Sequence, residues 1–174
     1  DSQRQETKLM FGWKISVLAL GSNLGDRGET LHSAIEQLGL HPKIRVLEQS
    51  PLVESIAVTE SGPDESKPNY LNGVIKIATK LSPKKLLEAT SKIELSHGRV
   101  RERRWESRSL DIDIITFENK KQSSKNLTLP HPRAHERAFV LVPWLLMDAG
   151  AELVGYGKVS ELAEPIKNQV WLQK

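Results

Sequence analysis

Residues 70–98 read YLNGVIKIATKLSPKKLLEATSKIELSHG and join a strand pattern directly to a helix pattern. The alternation across residues 70–79 predicts a strand. Ser82-Pro83 predicts a helix start, with Ser82 as the N-cap and Pro83 at the first helical position. Apolar residues at helical spacing predict the buried face of this helix: Leu86, Ala89 and Ile93.

Strand and helix patterns continue on both sides of this segment. Further strands are predicted over residues 14–20, 43–55 and 110–117. Further helices are predicted from Leu31 to Leu38 and over residues 137–147 and 159–167. A loop is predicted over residues 61–68, which hold two prolines and a glycine. The order of the first six elements predicts an α+β fold, a ferredoxin-like βαββαβ sandwich with a mainly antiparallel sheet and flanking helices, the first two on one face.

Composition narrows the class of protein. The chain has 174 residues, 38% of them apolar, and no cysteine, which excludes disulfides and cysteine-ligated metal sites. The longest apolar run, residues 139–147, is too short to span a membrane. We expect residues 1–9 to form a tail, with Met10 the first methionine, ahead of a single domain over residues 10–174. The formal net charge of +3 is modest, so its position matters more than its size.

Asp111 and Asp113 form a paired carboxylate on the predicted strand over residues 110–117. Side chains two apart on a strand share a face, so both carboxylates point the same way, followed on that face by Ile115 and Phe117. Two like charges this close favour a bound cation, and Mg²⁺ suits oxygen ligands. The alternative is an exposed strand edge with two solvated aspartates.

A basic stretch over residues 99–108 leads into that strand. It holds five arginines and two glutamates, a surplus equal to the net charge of +3 of the whole chain. Arginine grips phosphate oxygens bidentately, so the stretch predicts a mobile lid over a polyphosphate. The alternatives are a solvated basic loop and an RNA-binding arm. No P-loop or G-x-G-x-x-G motif is present.

Two further groups of residues suit small-molecule binding. Tyr70 and Asn72 share a strand face, where a flat heterocycle could stack on the ring and pair with the amide; the alternative is a core tyrosine and a turn asparagine. His131 and His135 have metal-pair spacing, but the flanking prolines disfavour a helix there. A phosphate or nucleobase contact through one histidine and Arg137 is the better interpretation.

Seven short motifs follow one another between about Ile15 and Leu153, in an order and spacing that are typical of one protein family. They are ALGSNLGD around Asn23, Tyr70-Leu71-Asn72, Glu94 ahead of Gly98-Arg99-Val100-Arg101, Arg104-Trp105, Arg108-Ser109-Leu110-Asp111-Ile112-Asp113, Pro130-His131-Pro132, and Arg137 with Phe139. This ordered set resembles the 6-hydroxymethyl-7,8-dihydropterin pyrophosphokinases of folate biosynthesis. The resemblance implies transfer of the terminal pyrophosphate of ATP to the pterin hydroxymethyl group, with release of AMP.

The resemblance also implies roles for individual residues. Asp111 and Asp113 would hold two Mg²⁺ ions and would be catalytic together with Arg99 and Arg108. The implied pterin contacts are Ser55, Ile56, Val58, Tyr70, Asn72, Trp105 and Phe139. The implied ATP contacts are Leu87, Glu94, Arg99, Arg101, Trp105, Arg108, Ile114, Thr128, His131 and Arg137. It further implies a cytoplasmic enzyme with small-molecule substrates and no nucleic-acid or membrane partner, fused to or associated with other folate-pathway enzymes in some proteins.

Two alternatives to this function stay open, and a departure from the family pattern suggests the first of them. Glu106-Ser107 stands where the family usually has Gly-Pro, which adds a carboxylate beside the predicted phosphate ligands. One alternative is therefore a catalytically degenerate homologue that binds pterin or ATP without turnover. The other is an RNA-binding ferredoxin-like module, suggested by the basic stretch and a pI of about 9.1. Aromatic residues make up only 5% of the chain, which counts against base stacking.

Overall fold

A computed structural model describes residues 11–59, 61–98 and 110–173. Its strands are β1 (Lys14–Ser22), β2 (Ile44–Gln49), β3 (Val53–Ser55), β4 (Val58–Thr59), β5 (Gly62–Pro63), β6 (Tyr70–Thr79), β7 (Asp111–Phe117), β8 (Gln122–Ser123), β9 (Thr128–Leu129), β10 (Glu152–Leu153), β11 (Gly157–Lys158) and β12 (Val170–Leu172). Its helices are α1 (Arg27–Leu40), α2 (Pro83–Ser96), α3 (Ala138–Met147) and α4 (Val159–Ala163), with 3₁₀ turns at Ala134–Glu136 and Lys167–Gln169.

The central feature is a six-stranded sheet in the order β12-β3-β6-β1-β7, with β2 also paired to β6. Every pairing in this sheet is antiparallel. The βαββαβ order and the antiparallel sheet predicted from the sequence are therefore confirmed.

The predicted helix boundaries have visible local causes. The Ser82 Oγ accepts a hydrogen bond from the Lys85 backbone N–H at 3.3 Å, with Pro83 at the first helical position, as predicted. The Asp26 carboxylate caps α1 in the same way, accepting from the Glu29 N–H at 3.1 Å. Each cap satisfies a backbone donor that the helix itself leaves unpaired.

Helices cover both faces of the sheet. Helices α1 and α2 pack on one face, in a cluster that includes Leu18, Leu31 and Leu86, all at most 1% exposed. Helices α3 and α4 pack on the opposite face, in a cluster that includes Val74 and Trp144. The predicted placement of the first two helices on one face is confirmed, and the C-terminal helices add a third layer.

The predicted strand over residues 43–55 is in fact two strands, β2 and β3. Gln49 pairs with Ile75 and Val53 with Asn72, so the outer strand holds one extra residue here. Pro51 has no N–H for the ladder, and the Ser50 Oγ instead accepts from the Val74 N–H at 2.9 Å. This break lets β3 continue along β6 towards Tyr70.

The prediction that Phe117 shares the face of the two aspartates is wrong. The register between β1 and β7 shifts between Val17 and Leu18, which pair with Thr116 and Ile114 and leave Ile115 as a bulge. Ile115 stays on the aspartate face, packed in the α3 and α4 cluster, while Phe117 joins the α1 and α2 cluster. A bulge reverses the alternation beyond it, and the plain two-residue period could not predict that.

Two other predictions are corrected in part. The predicted loop over residues 61–68 contains β5, which pairs with β4 in a small hairpin. The predicted helix over residues 159–167 ends at Ala163, and a 3₁₀ turn begins at Lys167. Among the described residues, no helix is long and apolar enough to cross a membrane.

Candidate functional site

The site is built around Gly21, near the end of the central strand β1. Gly21 pairs with Asn72 on one side and with Asp111 on the other. A methyl group at Gly21 would lie 3.0 Å from the Asn72 Oδ1 and 3.6 Å from a ring carbon of Tyr70. Because Gly21 has no side chain, the Asn72 amide can lie over it, and Asn72 and Asp111 flank it on one sheet face about two strand spacings, roughly 10 Å, apart. We call the surface between these two flanking strands the slot.

One wall of the slot is formed by β6 and β3. Tyr70 and Asn72 lie on the same strand face as Val74, as predicted. The Asn72 Nδ2 donates to the Ser55 Oγ at 2.8 Å, and both side chains are buried. Because this bond fixes the amide plane, the Oδ1 is directed across Gly21. An amide held in this way can recognise the polar edge of a flat ring, with Tyr70 beside it.

Segment 55–58 continues this wall. Ser55 and Ala57 are buried, Ile56 is half-buried, and Val58 is 66% exposed. The Ala57 carbonyl accepts from the Asp64 N–H at 2.8 Å, which ties the segment to the β4–β5 hairpin. Ile56 and Val58, the two predicted pterin contacts that follow Ser55 in the chain, are therefore accessible to a ligand and not part of the core.

The opposite wall carries the two carboxylates. Asp111 and Asp113 are half-buried on the face away from α1 and α2, while Ile112 and Ile114 are buried on the other face, as predicted. The Arg137 Nη1 lies 3.8 Å from the Asp113 Oδ2. The positively charged Arg137 guanidinium thus lies near this carboxylate, as expected where two negative charges share a strand face.

His131 lies beside this pair. Its backbone N–H donates to the Ile115 carbonyl at 2.8 Å, and its Nδ1 accepts from the Arg133 N–H at 3.1 Å. Burial lowers the pKa of the imidazole, as do the Arg137 and Arg133 guanidinium groups, while Asp113 opposes them. The ring is therefore neutral near pH 7 with its proton on Nε2, a donor suited to a phosphate oxygen.

Helix α3 brings Arg137 and Phe139 to the same place. Arg137 is the N-cap residue of α3, and Phe139 lies in its first turn. The Arg137 guanidinium carbon lies 5.4 Å from the centre of the Phe139 ring, within cation–π range. One helix start thus holds a guanidinium group beside Asp113 and an aromatic ring beside that guanidinium.

Other predicted ATP contacts lie around β7 and helix α2. Leu87 packs on the α1 and α2 cluster, and the buried Glu94 carboxylate accepts from the Ile112 N–H at 3.0 Å. Because Ile112 presents its N–H to Glu94 at the outer edge of β7, strand alternation directs the Ile114 backbone to that edge too. The Ile114 side chain is buried, so only its backbone can contact a ligand. Thr128 is half-buried in β9.

Four predicted site residues, Arg99, Arg101, Trp105 and Arg108, lie outside the described residues, as does the rest of the predicted lid. His135 is described, and its ring stacks on Tyr156 with centroids 4.2 Å apart. Within the described ranges no group of three or more histidine, aspartate, glutamate or cysteine side chains is arranged to hold a metal. A cation at Asp111 and Asp113 would therefore complete its shell with water or substrate oxygens.

Sequence reasoning missed Gly21, which lies just beyond the strand predicted over residues 14–20. Its backbone is not in the left-handed region, so the requirement for glycine is steric and not conformational. A glycine inside a strand pattern often marks close approach of a ligand or another chain segment, and that signal could have found it.

These features define a class of protein: an α+β fold that brings a tyrosine and a fixed amide on one side, and two carboxylates with a histidine and an arginine on the other, to one sheet face. A family model described as 7,8-dihydro-6-hydroxymethylpterin-pyrophosphokinase (HPPK) matches residues 17–149. A Methylorubrum extorquens 2-amino-4-hydroxy-6-hydroxymethyldihydropteridine pyrophosphokinase is 44% identical over 128 residues, which cover 74% of this chain and 78% of that protein. The chain therefore belongs to the 6-hydroxymethyl-7,8-dihydropterin pyrophosphokinase family.

Some relatives are larger than this chain. The Lactococcus lactis bifunctional protein FolKE is 42% identical over 74% of this chain, a match that spans 36% of that protein. The fold is also similar to that of a Plasmodium falciparum HPPK-DHPS crystal structure with pteroate. The TM-score is 0.68 at 14% identity, over 88% of this chain and 42% of that chain. Fusion of this kind of domain to other folate enzymes therefore occurs among its relatives.

Proposed function

We propose that this chain transfers the β,γ-pyrophosphoryl group of ATP to the hydroxymethyl oxygen of 6-hydroxymethyl-7,8-dihydropterin and releases AMP. The observation that carries the proposal is the slot floored by Gly21, with Asn72 on one wall and Asp111 on the other. This spacing allows a substrate with a flat ring to bind at the Asn72 wall (the ring wall) while a polyphosphate substrate binds at the Asp111 wall (the acidic wall), so that their reacting groups come into contact. Family membership supports the same reaction over the RNA-binding alternative.

The ring wall would bind the pterin. Tyr70 and Phe139 would stack on its two faces, since β6 and the start of α3 face the same slot. The Asn72 amide, held by Ser55, would pair with the ring edge. An amide already fixed before binding loses little conformational entropy, so it would orient the hydroxymethyl oxygen towards the carboxylate wall.

The acidic wall would bind the phosphates. The His131 Nε2–H and the Arg137 guanidinium would donate to phosphate oxygens, as would Arg99, Arg101 and Arg108. Arg137 now lies near Asp113, so ATP binding would exchange this contact for a phosphate contact. The predicted contacts of Leu87, Glu94, Ile114 and Thr128 would place the adenosine at the outer edge of β7, and Trp105 would close the site.

Asp111 and Asp113 fit a hard divalent cation. Their donors are carboxylate oxygens on one strand face, and at Asp113 an arginine already supplies positive charge. We propose that they hold two Mg²⁺ ions. Bound there, Mg²⁺ would neutralise phosphate charge and polarise the reacting phosphoryl group. The protein itself contributes alignment of the hydroxymethyl oxygen with the β-phosphorus and arginine and histidine donors for the charge that develops.

We also propose that residues 10–174 act as one domain in the cytoplasm. The pairing of β12 with β3 supports one domain, because it brings the C-terminal strand into the same sheet as β1. The proposed use of ATP as a substrate supports the cytoplasmic location. The substrates are small molecules, and the larger relatives support association with other folate-pathway enzymes.

Product analysis tests the reaction. Incubation with ATP, Mg²⁺ and 6-hydroxymethyl-7,8-dihydropterin should give AMP in an amount equal to the pterin consumed, and none without pterin. Formation of ADP would contradict pyrophosphoryl transfer. Binding of both substrates without any product would support the degenerate homologue, and binding of neither would reject the family function for this chain.

Replacement of Gly21 by Ala should raise the KM for pterin about tenfold, with little effect on the KM for ATP. The added methyl group would lie 3.0 Å from the Asn72 Oδ1 and displace the amide, and small displacements in a positioned site are costly. Gly39→Ala is the matched control, because a methyl group there meets only Val46 at 3.8 Å. Equal pterin KM values for the two variants would argue against the slot.

A further inference from the structure

The C-terminal strand β12 lies outside the region that the family model matches, residues 17–149, yet it reaches the ring wall of the site. It pairs with β3, with Val170 opposite Ser55 and Trp171 opposite Glu54. The Gln173 N–H extends this ladder to the Leu52 carbonyl at 3.2 Å. Strand β3 is only three residues long, and β12 covers the edge that would otherwise be unpaired.

Apolar packing links β12 to the start of α3. Val170, Val53 and Ala138 form one buried cluster, and Phe139 packs partly against it. Ala138 precedes Phe139 in the first turn of α3, so this cluster supports the residue that provides the predicted stacking ring of that helix. The C-terminal strand therefore packs against two elements: β3, which is part of the ring wall, and the start of α3, which carries Phe139.

A polar network fixes the same strand from the other side. The Trp171 indole Nε1–H donates to one carboxylate oxygen of Glu54 at 3.2 Å. Arg27 donates to the other oxygen at 2.8 Å, and also to the Asn69 carbonyl at 2.9 Å. Glu54 is thus held between the C-terminal strand and the first turn of α1. It is the residue before Ser55, which in turn holds Asn72.

We propose that β12 is a positioning element for pterin binding, and that Trp171 acts as a positioning residue through Glu54 and Ser55. The inference rests on the proposed function, which assigns segment 55–58 and Asn72 to the pterin. A short strand with one paired edge frays readily, because few hydrogen bonds oppose its backbone entropy. Pairing on both edges holds Ser55 where its Oγ can orient Asn72. ATP binding is assigned to β7, His131 and Arg137, and the acidic wall makes no described contact with Trp171.

The test compares three variants of the full chain: one ending at Gln169, Trp171→Phe, and Leu172→Ala. Loss of β12 should raise the KM for pterin about tenfold or more, as a misplaced positioning group does, and change the KM for ATP less than about twofold. Trp171→Phe removes only the indole donor and should raise the pterin KM by about twofold to fivefold. Leu172, which is 57% exposed and lies outside the network, serves as the control and should leave both values unchanged.

The results separate this proposal from the proposed function. Absence of pterin-dependent AMP with the unaltered chain would reject the function. An active chain whose pterin KM is unchanged by loss of β12, or whose pterin and ATP values rise equally, would overturn the positioning role. If the shortened chain does not fold, as judged by its melting transition, Trp171→Phe and Glu54→Gln decide, and unchanged pterin KM in both would overturn it.

Discussion

Replacement of Asp113 by Ala is expected to lower turnover at least about a hundredfold, as when a metal clamp fails. The loss should persist at saturating ATP and Mg²⁺, because Asp113 is proposed to hold the ion that neutralises phosphate charge during the reaction, and not only to aid ATP binding. Melting temperature should change little, since the contact of Asp113 with Arg137 at 3.8 Å is partly exposed and such pairs contribute little stability. Steady-state AMP production and thermal unfolding measure the two effects.

Asp148→Ala is a closely matched control. The Asp148 side chain is 37% exposed and lies 3.8 Å from Lys76, against 43% exposure and 3.8 Å from Arg137 for Asp113. Both substitutions remove a carboxylate from an ion pair of equal length. Near-normal turnover is expected only for Asp148→Ala. Near-normal turnover of Asp113→Ala would remove the paired aspartates from the mechanism.

Replacement of Asn72 by Ala is expected to raise the KM for pterin between about tenfold and a hundredfold. The amide is the polar group that the slot offers to the ring edge, and loss of a specific hydrogen bond to a substrate is costly when the site excludes water. ATP affinity should change little, because Asn72 lies on the opposite wall from Asp113. Separate titrations of the two substrates give both values.

Two variants sharpen this prediction. Ser55→Ala keeps the amide but removes the hydroxyl that holds it at 2.8 Å, so its pterin KM should fall between those of the unaltered chain and Asn72→Ala. Lys76→Ala changes the same strand face four residues away, where the side chain pairs with Glu48, and should leave pterin binding unchanged. If Lys76→Ala weakened pterin binding as much as Asn72→Ala, the cause would be a general disturbance of strand β6 and not the loss of the Asn72 amide.

The elements at the centre of the fold were predictable because their signals are local. The Ser82-Pro83 cap marks the start of α2, and the two-residue period of β7 places Asp111 and Asp113 on one face. The resemblance then relates residues that lie far apart in sequence. Asn72, Asp113 and Arg137 come from three separate elements, and the structure brings all three to one face of the sheet.

The parts that could not be predicted depend on contacts between distant segments. The bulge at Ile115 arises from pairing between β1 and β7, and it alone decides the side on which Phe117 lies. Strand β12 has three residues and an exposed tryptophan, so nothing in its own sequence indicates that it covers β3. The steric role of Gly21 likewise depends on Asn72, some fifty residues later in the chain.

Tracing the β-phosphorus of ATP tests the central claim most directly. With ATP labelled at the β-phosphate, unlabelled AMP and a pterin product that carries the label are expected, because the pyrophosphoryl group moves as one unit. Asp113→Ala should suppress this transfer, while Asp148→Ala should not. Label that remains in the nucleotide as ADP would mean that only the γ-phosphate moves, and would contradict the function proposed for this site.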